Sequence, residues 1–364
     1  MKIAQIAPLM ESVPPRLYGG TERVVSYLTD ELVRIGHDVT LFASGDSVSS
    51  ANVVRCVPMA LRLDANVSDP MPYYMLMLDR VRMRAHEFDI LHFHIDQFHF
   101  PLFQPIADRT VTTLHGRQDL HDLKPLYIGF NDMPLVSISK AQRDPIANAN
   151  FVATVYHGIP VHLLKPTYKP RGGYVAFLGR ICPEKRPDRA IRIARALDIP
   201  IKIAAKIDKV DEAYFRTAIA PLFNQPGVEY VGEIDERAKS AFLGEARALL
   251  FPVDWPEPFG LSMIEAMACG TPVLAFHCGS VPEIIDPGVT GHVVRTVDEA
   301  IRMLPQVLAL DRRTVRQRFE QRFSATRMAK DYVQVYRSLL KQPPLMERAA
   351  VMLGLEPDLE KGMN

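Results

Sequence analysis

Residues 251–276 read FPVDWPEPFGLSMIEAMACGTPVLAF. An apolar run leads into a loop holding Pro256 and Pro258, an apolar helix-like stretch follows, and Gly270 precedes a second apolar run. A strand, a helix and a strand in that order make a right-handed crossover unit of a parallel sheet. The two prolines stiffen the loop around Glu257. A helix beginning near Gly260 offers unpaired N–H groups suited to phosphate oxygens. Glu265 then falls about a turn and a half into that helix, where a carboxylate can take both hydroxyls of a vicinal diol. The stretch therefore measures out three subsites: an acid for a sugar, amides for phosphate, and a second acid for a ribose.

The same alternation extends in both directions. In the second half YVAFLGR, IPIKIAAK, VEYVGE and ARALLFPV read as strands. In the first half KIAQIAP, DVTLFAS, DILHFHI, TVTTLHG, PLVSISK and FVATVYHGI do so. Val24, Leu28, Leu32 and Ile35 recur at helical spacing, with Thr21 as the expected cap and Gly36 as the expected stop. Residues 160–173, PVHLLKPTYKPRGG, break the rhythm and read as a linker. The expected architecture is two Rossmann-like, doubly wound α/β domains facing across a cleft. The first covers 1–163 and the second 172–325; the tail from Gln342 is expected to be loosely held.

Bulk composition narrows the function. The 364 residues suit two domains, and 43 Lys+Arg against 42 Asp+Glu give a net charge of +1. Residues 1–168 hold 15 basic and 17 acidic side chains, so neither half has a nucleic-acid binder's basic excess. Cys56, Cys182, Cys269 and Cys278 are scattered, which fits neither a zinc framework nor a disulfide scaffold. The N-terminus does not read as a secretory signal, and no run is long and apolar enough to span a membrane. A cytoplasmic, soluble protein is expected.

Ligands of doubly wound sheets bind beyond the carboxyl ends of the strands, so residues just after each strand carry the information. Gly19 and Gly20 precede a helix, where they form either an ordinary turn or a close approach to an anion. His92 and His94 lie two apart on a strand, as core histidines or as half of a metal site. His115 closes a strand-like run and is either a loop residue or a cleft residue. Arg180 and Lys185 follow the first strand of the second half, where two cations suit a diphosphate or simply face solvent. The strand ends of the first half show no acid placed like Glu257. RVRMR at 80–84 reads as a solvated helix face, with a peripheral membrane contact as the second reading.

Taken together, YGGTERVVSYLTDELVRIGHDVTLFAS, GRICPEK, VEYVGEID and EPFGLSMIEAMACGTPVLAF with GSVPEIIDPGVTGHVV resemble the retaining GT-B glycosyltransferases of family 4, the group 1 type. The resemblance spans almost the whole chain. It implies that Glu257 binds hydroxyls of the transferred sugar and Glu265 the ribose. It also implies that Arg180 and Lys185 hold the diphosphate, Gly19 and Gly20 approach it from the other domain, and His115 lines the sugar pocket. Phe259, Gly260 and Leu261 would complete the donor site, with Gly232 and Glu233 near the base. A final helix, about 326–341, would cross back onto the first domain. The implied reaction is retaining transfer of a hexose from a nucleotide-diphosphate sugar, a UDP-sugar first and a GDP-sugar second, with no cofactor and no metal. The acceptor, a small molecule, a glycan or a lipid-linked sugar, would be set by first-half loops such as 10–18 and 58–75. The alternatives are an epimerase or phosphorylase on the same fold, and a metal hydrolase built on His92 and His94.

Overall fold

The computed structural model describes residues 1–17 and 19–341; the tail from Gln342 lies outside the described residues. Its strands are β1 (Lys2–Ile6), β2 (Asp38–Ser44), β3 (Asn52–Val57), β4 (Ile90–Phe93), β5 (Thr110–Thr113), β6 (Leu135–Ser137) and β7 (Phe151–Thr154), followed by β8 (Val175–Arg180), β9 (Ile201–Lys206), β10 (Val228–Gly232), β11 (Leu249–Phe251), β12 (Val273–Phe276) and β13 (Gly291–Val294). They form one seven-stranded sheet, ordered β3-β2-β1-β4-β5-β6-β7, and one six-stranded sheet, ordered β10-β9-β8-β11-β12-β13. All the pairings between these strands are parallel. The central strands are buried on both faces, which is why they read as unbroken apolar runs rather than alternating ones. The two strands that the sequence reading did not single out, β3 and β13, are both at sheet edges. β3 is only partly buried and β13 is four residues long, so neither carries a strong apolar signal.

Helix α1 (Gly20–Arg34) packs on the first sheet through Val24, Leu28 and Leu32. Its cap is Gly19, not the expected Thr21, which lies inside the first turn. At the other end Gly36 behaves as the pattern predicts. It takes φ +90°, its N–H bonds to the Val33 carbonyl at 2.9 Å, and the His37 N–H reaches Leu32 at 3.0 Å. That pair of bonds satisfies carbonyls the helix end would leave exposed.

Helix α2 (Arg312–Arg322) belongs to the second half, and α3 (Ala325–Leu340) returns to the first. The chain thus crosses between the halves twice, and the crossings run side by side. Ile159 donates to Phe323 at 2.9 Å and accepts from Ala325 at 2.9 Å. There is no room between them for a side chain at Gly158, whose added Cβ would lie 2.4 Å from the Ser324 carbonyl oxygen.

The stretch read as a linker is clasped rather than loose. From α2, Arg316 donates to the carbonyls of Val161 at 2.6 Å and Leu164 at 2.9 Å. Arg312 donates to Thr167 at 2.6 Å, Gly244 at 2.8 Å and Ala246 at 2.9 Å, and to the Thr271 hydroxyl at 2.6 Å. Burial pulls Arg312 down to about 10, but it still enters as a cation. Replacing it by methionine leaves several carbonyls without a donor, each costing about 1–3 kcal/mol if it stays dry. Arg312→Met should therefore lower unfolding free energy by about 3 kcal/mol in urea titration. A change near zero would show that water replaces the guanidinium.

Candidate active site

The carboxyl ends of the two sheets face a cleft of about 540 Å³ lined from both halves. On the second half, β8 ends at Arg180, whose guanidinium lies 3.2 Å from Asp211 and 3.7 Å from Asp208. Lys185 sits in the turn that follows. Its ammonium bonds to the Glu257 carboxylate and lies 5.2 Å from the Trp255 ring centroid. Glu257 also accepts from the Trp255 indole at 2.9 Å and is 8% exposed.

The prolines are not all that holds this acid. Ser280 donates to the Glu257 carbonyl at 2.9 Å, and Gly279 (φ +51°) packs so closely that a Cβ would lie 2.4 Å from that oxygen. Beyond the loop, Gly260 at φ +83° opens helix α4 (Leu261–Ala268). Glu265 projects from α4 and accepts from Lys239 at 2.5 Å. Desolvation holds Lys239 below the ordinary lysine range in spite of that partner. Lys239 is also 3.6 Å from Glu236, which pairs across the cleft with Arg23 of α1.

On the first half Gly19 and Gly20 line the cleft, and a Cβ on Gly20 would lie 3.6 Å from the Leu261 side chain. The N-termini of α1 and α4 therefore converge on one point. His115 lines the same space. Its Nε2 is 2.9 Å from His94 Nδ1, and its ring stacks at 5.2 Å and 19° on His157. Burial lowers it from 6.5 to about 3, so it stands neutral.

Of the residues singled out from sequence, Gly19, Gly20, His115, Arg180, Lys185, Glu233, Glu257, Phe259, Gly260, Leu261 and Glu265 line this one cleft. Gly232 is not among the lining residues; it forms the irregular end of β10 at φ +80°. His92 and His94 do not present free nitrogens. His92 bonds to the Tyr336 hydroxyl and the Thr113 hydroxyl, each at 2.7 Å, and His94 to His115 and to Gln5 at 2.7 Å. Among the described residues no group of three or more His, Cys, Asp or Glu is arranged to hold a metal. Arg82 and Arg84 of RVRMR are paired with Asp79 and Glu87 on an exposed helix face. No described helix is long and apolar enough to cross a membrane.

At the strand ends of the first half the sequence shows no acid placed like Glu257, and the acids that the first half brings to the cleft lie elsewhere. Glu11 and Glu22 both line it, and burial raises both above the ordinary carboxylate range. Glu11 pairs with Arg62 at 2.9 Å, joining the 10–18 and 58–75 loops at the cleft wall. Glu22 lies in the first turn of α1, a position whose significance was available from its place after Gly-Gly. Lys239 was also missed. Its signal is a lysine on a helix face otherwise buried through Phe242 and Leu243.

Comparison with known proteins gives two family matches: "Glycosyl transferases group 1" over residues 165–322 and "Glycosyltransferase Family 4" over 18–143. A phosphatidyl-myo-inositol mannosyltransferase of Propionibacterium freudenreichii is 25% identical over 338 residues, covering 82% of this chain and 84% of its own. A D-inositol 3-phosphate glycosyltransferase of Mycobacterium leprae is 31% identical over 158 residues, covering 40% of this chain and 37% of its own. Several curated relatives are thus matched over less than half their length. The fold is shared with HepE of Anabaena in complex with UDP and glucose, at TM-score 0.70 and 17% identity, over 93% of this chain and 100% of that one.

The buried imidazoles make an acid-sensitive core. Burial lowers His92, His94, His99, His115 and His157 below their ordinary 6.5. A depressed folded-state pKa gives stability that is whole above the unfolded value and lost as pH falls below it. Each histidine should then add up to about 1.4 kcal/mol per pH unit to the slope. Urea midpoints measured from pH 7.5 down to 5 should fall steeply below about 6.5, and His99→Phe should remove one histidine's share. A flat profile would mean that the imidazoles reach solvent.

Proposed function

We infer that this chain, which belongs to the family 4 glycosyltransferases of the group 1 type, moves a sugar from a nucleoside-diphosphate donor to an acceptor hydroxyl with retention at the anomeric carbon. The observation that carries this reading is the single cleft shared by Arg180, Lys185, Glu257 and Glu265 opposite Gly20 and His115. A UDP-sugar is the favoured donor, because HepE binds UDP and glucose on the same fold.

In this reading Arg180 and Lys185 receive the diphosphate, and the N-termini of α1 and α4 add N–H donors. Charge that builds on the departing phosphate meets cations already in place, which lowers the barrier without a metal ion. Glu257 takes hydroxyls of the transferred sugar, and Glu265 takes the ribose diol. Lys185 and Lys239 now neutralise those carboxylates; donor binding would share each lysine with a ligand oxygen. His115 is neutral over the working pH range and so contributes a hydrogen bond, not a proton.

One observation favours a second stereochemical reading. Glu22 is a carboxyl group at the cleft, near Arg62 and Arg23, whose pKa burial nonetheless raises, a property of a general base. Retention remains preferred, since the diphosphate can take the acceptor's proton on the face it leaves, and the family likeness points that way. A hydrolase on His92 and His94 is disfavoured by the committed ring nitrogens.

The two acids should separate experimentally. Glu265→Ala is expected to weaken binding of free nucleoside diphosphate. Glu257→Ala should leave that affinity within about twofold but reduce turnover by about 10²–10³. Calorimetry with UDP, alongside initial rates with the intact donor, reads both. Equal weakening of UDP by both variants would remove the division of labour.

Stereochemistry and metal use are tested in one assay. Proton NMR of the first product from an α-linked donor should show an α anomer, at a rate unchanged by exhaustive EDTA. A β product would reassign Glu22 as base, and loss of turnover restored by one divalent ion would reinstate a metal.

A further inference from the structure

Behind His115 lies a chain of uncharged groups that begins on the returning helix. The Tyr336 hydroxyl of α3 is 2.7 Å from His92 Nδ1 and 3.2 Å from Gln5 Nε2. Gln5, on β1, turns its amide oxygen to His94 Nε2 at 2.7 Å. His94 Nδ1 meets His115 Nε2 at 2.9 Å, and His115 Nδ1 is buried with no partner. Gln5 and His92 are register partners on β1 and β4, His94 just past β4 donates its N–H to the Ile6 carbonyl at 2.9 Å, and all three are buried, so the chain cannot swing aside.

A neutral imidazole carries one N–H and one lone pair, and an amide oxygen only accepts. His94 must therefore donate from Nε2 to Gln5, which leaves its Nδ1 as an acceptor. His115 must then donate from Nε2, which leaves its own Nδ1 as a lone pair. The remaining bonds agree with this direction. Gln5 Nε2 donates to the Tyr336 oxygen, Tyr336 O–H donates to His92 Nδ1, and His92 Nε2–H donates to the Thr113 hydroxyl at 2.7 Å. Turning the Gln5 amide over would reverse the pocket end of the chain. It would finish with a buried N–H on His115 and no acceptor for it, the costlier of the two errors.

We propose that Gln5 and His94 are positioning residues that lock His115 as its Nε2–H tautomer, so that its one uncommitted polar atom, the enclosed Nδ1 at the cleft wall, is a hydrogen-bond acceptor, matched to a hydroxyl of the transferred sugar. The last clause rests on the sugar-transfer reading; the tautomer itself stands on the geometry alone. A sugar hydroxyl can donate to such a lone pair, whereas a carbonyl or carboxylate at that position would face an acceptor with another acceptor. The preference is therefore for a transferred sugar that keeps its hydroxyl there rather than an oxidised, uronic-acid counterpart.

The test is a histidine-labelled ¹⁵N NMR spectrum of the ligand-free protein, with His115 assigned by its loss in His115→Gln. The expected result is a protonated Nε2 and an unprotonated Nδ1 at His115, unchanged between pH 6 and 8. A protonated Nδ1 would overturn the proposal. In Gln5→Leu the direction is released, and His115 should become a mixture of tautomers; an unchanged signal would show that Gln5 does not set it. His94→Phe serves the same purpose if Gln5→Leu fails to fold, with melting curves confirming the fold of each. The sugar-transfer reading fails separately: a correct tautomer in a protein that turns over no sugar nucleotide would remove the role and leave the relay.

Discussion

The molecule depends on the return of α3 to the first sheet. Tyr332 and Tyr336 are almost fully enclosed there, and their hydroxyls reach Thr113 at 2.8 Å and His92 at 2.7 Å. A buried phenol that loses its partner pays its full desolvation, so these bonds fix α3 along the strands rather than merely against them. Because α2 and α3 are contiguous, the same contact sets the relation between the two sheets. The paired crossings at Ile159 and Phe323 do the rest.

Elsewhere the halves meet through Phe259, which packs on Tyr156 and His157, and through exchangeable polar groups. Arg23 reaches Glu236 across the cleft, and Glu283 accepts from the backbone of Lys140 and Ala141, each at 2.8 Å. Contacts of this kind trade partners with ligand or water at small net cost, whereas an apolar seam would resist opening. The rigid part of the joint is thus at the helix return, and the polar part is at the cleft.

The fold was legible because parallel sheets covered on both faces demand continuous apolar strands, and this sequence has them with Gly and Pro between. DVTLFAS coincides with β2 residue for residue. What failed was information that does not lie along the chain. Edge strands β3 and β13 need less apolar character, so pattern alone passes over them. Thr21 looks like a cap, but the chain enters α1 two residues earlier, at Gly19, which packs so closely on Pro15 that a Cβ would clash at 2.8 Å. The cleft residues after β8 and β11 were readable from their strand-end positions. Glu11 and Arg62 were not, because each takes its meaning from the other, dozens of residues away.

Charge balance explains how the site holds its cations. Lys239 with Glu265 is a buried pair, Lys185 with Glu257 a partly buried one, and Arg180 stands between Asp208 and Asp211. An unpaired buried charge would cost several kcal/mol, so the protein supplies each cation with an internal anion. The pairing has a geometric consequence. On the proposed sugar-transfer reading, a diphosphate would not find bare cations; it would share cations already oriented by carboxylates, and those carboxylates would then face the uncharged sugar and ribose. Hydroxyls can donate to a carboxylate that still holds its lysine, while a phosphate oxygen takes another of that lysine's protons. One lysine can therefore bridge the charged and uncharged parts of a donor. That reading gives a use to the pairing seen at both glutamates, eight residues apart on one loop and helix, each beside a lysine rather than alone.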